Sequence, residues 1–77
     1  MQDHTEVTAL NMLDTVALVE DMPSERLVKG QVGTVVEELA EGVYEVEFTN
    51  RQGETISSLA LSVDRLMLLH FEMEAIT

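Results

Sequence analysis

The chain has no cysteine and no tryptophan, and its 77 residues include only four basic side chains, one proline, one tyrosine and two phenylalanines. Each shortage closes off a class of protein. Without cysteine there is no disulfide, no thiolate nucleophile and no cysteine-ligated zinc or iron–sulfur centre. With no tryptophan and so few aromatics, a groove for proline-rich peptides is not expected. Four Lys and Arg against fifteen Asp and Glu leave a formal net charge of -11. Nucleic acid, with its dense phosphate charge, is therefore a poor partner, because Arg26, Lys29, Arg51 and Arg65 cannot offset the surrounding carboxylates. No run approaches the ~20 apolar residues of a membrane span. Residues 1–12 lack the basic cluster and apolar run of a secretory signal. A soluble, cytoplasmic protein is the expectation.

What is present is a hydrophobic content of 45%, too high for a disordered acidic tail. Seventy-seven residues make one domain. By the scaling of surface with mass, about 62% of the unfolded surface is buried on folding, so the core is small and function falls to the surface or the sheet edges.

Along the chain, residues 1–12 read as a flexible leader. Asp3 and Glu6 resemble a capping box, and Val7, Leu10 and Leu13 have helix-like spacing, enough for one turn. Residues 13–70 form the domain and 71–77 a tail. A first strand lies in 14–20, with Val16 and Leu18 alternating with Ala17 and Val19. A polar break at 21–26 forces a loop, since Pro23 cannot donate to a ladder. The second strand runs from about Gln31 to Leu39, where Gly33 marks a bend, a bulge or a close backbone approach. Gly42 supplies a hairpin residue at positive φ. In the third strand, 43–49, Tyr44, Val46 and Phe48 share the core face, while Val43, Glu45, Glu47 and Thr49 face water. Asn50–Gly53 suits a type I turn. A fourth strand occupies 55–61 with Leu59 and Leu61 on one face; a 3₁₀ piece at 62–65 and a last strand at 66–70 follow. Five short strands with no helical period predict an all-β fold, a small five-stranded, partly open barrel.

The order of a long first loop, two hairpins, a 3₁₀ turn and a closing strand resembles the SH3-like barrel. Asp14-x-Val16-Ala17-Leu18-x-Glu20-Asp21-x-Pro23, then Leu27-x-Lys29-Gly30-Gln31-Val32-Gly33-Thr34-Val35-Val36-Glu37, then Gly42-Val43-Tyr44-Glu45-Val46-Glu47-Phe48 is similar to a family of small bacterial proteins known only as a domain of unknown function. The resemblance spans roughly residues 13–70 and implies an SH3-like barrel; it carries no catalytic residues. A local resemblance links Pro23–Val36 to the barrel in the β subunit of nitrile hydratase, an accessory module. This chain lacks the helical remainder and the metal-ligating cysteines of that enzyme, so the activity does not transfer. Gly30-x-x-Gly33-x-Val35 also resembles the opening of a KOW motif, which implies RNA or a ribosomal surface. A turn followed by a curled strand explains the same glycines.

His4 and His70 stand nearly a domain apart. Glu72 and Glu74 after His70 offer carboxylates to a metal, but no second histidine lies at ligand spacing, and no metal or cofactor is expected. Glu45 and Glu47, with Glu37 or Glu38 on the neighbouring strand, read as an acidic surface rather than a catalytic pair, since a convex barrel face provides no dry cleft to separate their pKa values. Ser57, Ser58 and Ser62 have no recognisable His–Asp companions. Met22 and Pro23, in the first loop, either contact a partner or cover a barrel end. The sequence therefore predicts a non-enzymatic acidic module, monomer or weak homodimer, whose candidate interaction surface is Met22, Pro23, Glu37, Glu45 and Glu47. Its expected partner is another protein, encoded nearby. The alternative is a KOW-like RNA- or ribosome-associated domain.

Overall fold

A computed structural model describes residues 9–69. The expected N-terminal turn around Asp3 and Glu6, the tail, and the His4, His70, Glu72 and Glu74 side chains lie outside them. Five strands, β1 (Thr15–Leu18), β2 (Val32–Ala40), β3 (Val43–Thr49), β4 (Thr55–Ser62) and β5 (Leu66–Leu68), form one sheet. Their order is β4-β3-β2-β1-β5, with every pairing antiparallel. Among the described residues there is no α-helix, and β4 and β5 end the sheet without pairing to each other. The expected all-β, partly open five-stranded barrel is thus the fold, and a 3₁₀ turn at Val63–Arg65 leads into the last strand as predicted.

β3 sits near the middle because its alternation suits a strand with one dry face. Tyr44, Val46 and Phe48 are each at most 1% exposed, and they meet Val16, Leu18, Leu27, Val35 and Leu61 in one core. Gly33 lets β2 cross this layer. A Cβ there would lie 2.8 Å from the Phe48 ring and from Val46, so close backbone approach is the role of this glycine. Gly42 closes the β2–β3 hairpin at φ 76, a region that a side chain would strain.

Two features of β1 depart from simple alternation. The strand is shorter than expected, Thr15–Leu18. Ala17 alternates with the core residues Val16 and Leu18 yet is only 6% exposed; its small side chain is flanked in register by Met67 of β5 and Val32 of β2. Leu10 is also buried, on the leader side of the expected boundary. Its N–H donates to the Tyr44 hydroxyl at 2.9 Å, meeting the need of a buried phenol for a partner.

The first loop is folded tightly rather than simply polar. Pro23 opens a 3₁₀ turn over Pro23–Glu25, Arg26 takes a left-handed conformation at its end, and Met22 and Leu27 bridge across it. Leu27 plugs the core, while Asp21 Oδ1 accepts from Lys29 N–H at 2.8 Å and Leu18 C=O accepts from Gly30 N–H at 2.8 Å. Arg65 and Glu20 pair at 3.2 Å beside this loop, both half exposed; such a pair contributes little to stability.

Candidate functional site

The outer face of β2–β3–β4 collects three of the five expected surface residues. Outward alternation on β3 places Glu45 and Glu47 on this face, two residues and so roughly 7 Å apart. Glu37 arrives there by a different route. In a regular β2 it would share the inward parity of Val35, but Val36 is an extra residue in the ladder: Val35 pairs with Val46 and Glu37 with Glu45. The bulge reverses the parity and sets Glu37 directly opposite Glu45. A second extra residue, Leu39, reverses it again, and Glu38 pairs with Tyr44 on the other parity, at the exposed rim. Of the two candidates on the neighbouring strand, Glu37 is therefore the one that joins Glu45.

The neighbours of these carboxylates are small and uncharged. Glu47 lies between Thr34 and Ser58, and Glu45 lies beside Ala60. Ser58 donates its hydroxyl to Glu45 Oε2 at 2.7 Å, diagonally across the sheet, and so fixes the direction of that carboxylate. Ser58 was not among the expected interaction residues, although its alternation with Leu59 and Leu61 in β4 already set it on the face opposite the core.

Strands β2, β3 and β4 carry no Lys or Arg. The carboxylates are half buried or exposed, ready to accept hydrogen bonds from cationic donors. Met22 and Pro23 belong to a different element, the first loop. Met22 is half buried and packs on the core, whereas Pro23 is exposed. Among the described residues no three His, Cys, Asp or Glu side chains are arranged to hold a metal ion, and no helix is long and apolar enough to cross a membrane.

Fold and face together define a small all-β domain with an acidic outer surface and an open sheet. The chain belongs to the family described as a domain of unknown function (DUF4926), which it matches over residues 12–68, essentially the whole sheet. No curated protein and no solved structure matches it.

Proposed function

We propose that this chain is a non-enzymatic interaction module of the bacterial cytoplasm that binds a basic surface of another protein, encoded nearby, through Glu37, Glu45, Glu47 and Ser58. The observation that supports this reading is the Glu37–Glu45 cross-strand pair. Like charges directly opposite destabilise a sheet, by about 0.2–1 kcal/mol for such a pair, and the three strands hold no cation to offset it. A face maintained against the interest of folding points to a use outside folding. Carboxylates held on a rigid sheet steer an approaching cationic surface and set its orientation. Pro23, exposed on the first loop, provides a second contact, while Met22 holds that loop on the core.

The glycines of the KOW-like pattern have local explanations: Gly30 turns at φ 88, and Gly33 lies against Phe48. The acidic face also repels phosphate. The deciding experiment is capture from native-cell extract with wild type and with Glu45→Lys/Glu47→Lys, at two salt concentrations and with nuclease. The wild type is expected to recover a protein. The folded variant should recover roughly tenfold less, with weaker salt dependence. Nuclease-sensitive RNA recovered without a protein, or capture unchanged by the reversal, contradicts the reading.

A further inference from the structure

Among the described residues β4 is the strand that ends the sheet on the β3 side, and its eight residues, Thr-Ile-Ser-Ser-Leu-Ala-Leu-Ser, carry no charge in a chain of net charge -11. Exposed edges are ordinarily blunted by charge, proline or bulges. Here there is only a bulge, with Ile56 the extra residue near one end. The register shows which backbone groups the edge presents. Val63 N–H donates to Gly42 C=O at 2.8 Å, so the adjacent Ser62–Val43 pair is a non-hydrogen-bonded one. By alternation, Leu61, Leu59 and Ser57 engage β3 through their N–H and C=O groups. Those of Ser58, Ala60 and Ser62 point away from β3, to the open edge.

We propose that this edge is a self-association surface, on which β4 of a second copy of the chain adds antiparallel about a two-fold axis at Ala60. Charge selects the occupant. A molecule this acidic can meet its own copy only where carboxylates are absent, and β4 is the longest such strand. Glu45 and Glu47 lie one strand inside, so their counterparts across the axis are three strand spacings away, about 14 Å. That exceeds the ~8 Å screening length at physiological salt.

Parity selects the register. Core-side residues must oppose core-side residues, so the axis passes through a residue and not between two. An axis at Ser58 or Leu59 draws the bulged Ile56 into the ladder. An axis at Ala60 avoids it, setting Ser58 opposite Ser62 of the other copy and using all three outward-pointing residues. It also places Leu59, half buried at the rim of the core, opposite Leu61 of the other copy. One strand per partner buries less than the ~1,000 Å² of a stable complex, so the dimer is weak. It leaves the acidic face uncovered and does not depend on the heterologous partner proposed above.

The test is sedimentation of the full chain from about 10 μM to 1 mM, in dilute buffer and in 0.15 M NaCl, with amide hydrogen exchange at both extremes. The expected result is a reversible dimer favoured by salt. The Ser58, Ala60 and Ser62 amides should gain protection as concentration rises, while Leu59 and Leu61 stay protected throughout. Ala60→Lys sets two ammonium-bearing residues opposite each other across the axis, with Cα atoms about 5.5 Å apart. It also gives each lysine a favourable cross-strand neighbour in Glu45 of its own chain. It should weaken the dimer by about tenfold or more with the unfolding midpoint unchanged or raised. Exchange on the unaltered chain decides the matter even if that variant folds poorly. A monomer at the highest concentration with these three amides exchanging freely overturns the proposal. So does protection that ignores concentration, which assigns the edge to another segment of the same chain, and so does a dimer indifferent to Ala60→Lys.

Discussion

The two faces of β3 are one residue apart in the chain and obey different physics. On one, Tyr44, Val46 and Phe48 are dry and enclosed by every other strand's inner residues. On the other, Glu45 and Glu47 have small uncharged neighbours and a third carboxylate, Glu37, directly opposite Glu45. The inner face follows packing throughout. The outer face contains the like-charge opposition that a sheet selected for stability alone would avoid. In a domain this small the stabilising terms are gathered on one side of the sheet, which leaves the other side free to be shaped by what it meets.

Substitutions that move between the faces sharpen this contrast. Phe48→Ala should be the most damaging, destabilising by about 3–5 kcal/mol in urea unfolding, whereas Glu47→Ala, on the preceding residue, should change stability by no more than about 0.5 kcal/mol. Comparable values for the two would mean that the faces do not divide the work as described. Gly33→Ala tests the layer above Phe48. Its Cβ meets ring and methyl carbons at 2.8 Å, an overpacking expected to cost about 1–3 kcal/mol; a neutral result would show that β2 does not approach the ring so closely. Tyr44→Phe removes only the hydroxyl and leaves the Leu10 N–H without its acceptor. A loss of about 1–2 kcal/mol is expected, with faster amide exchange at Leu10 as its local signature.

How much of this was legible before the structure differs between the faces. The inner set of β3 follows from period-two alternation alone, and Asn50–Gly53 closes its turn as expected, with Gly53 N–H on Asn50 C=O at 3.0 Å. The burial of Ala17 was not legible, because the residues that flank it, Met67 and Val32, come from neighbouring strands, information that no local window contains. Leu10 lay beyond reach for the same reason, since its partner is Tyr44, 34 residues away. The acidic face was readable in composition but not in geometry. Whether Glu37 or Glu38 joins Glu45 depends on the bulge at Val36, and β-branched Val35-Val36 followed by two glutamates does not announce which residue will be left unpaired.

If the outer carboxylates do not serve the fold, neutralising the opposed pair should stabilise the sheet. The decisive comparison is thermal unfolding of Glu37→Gln/Glu45→Gln beside the wild type, in dilute buffer and in about 0.5 M NaCl. Glutamine keeps an oxygen that can accept from the Ser58 hydroxyl while removing the opposed charges, worth about 0.5 kcal/mol. The variant is therefore predicted to melt about 2–4 °C higher in dilute buffer, with the gap closing in salt as screening relieves the same repulsion in the wild type. A lower melting temperature in dilute buffer would show instead that the carboxylates hold the sheet together.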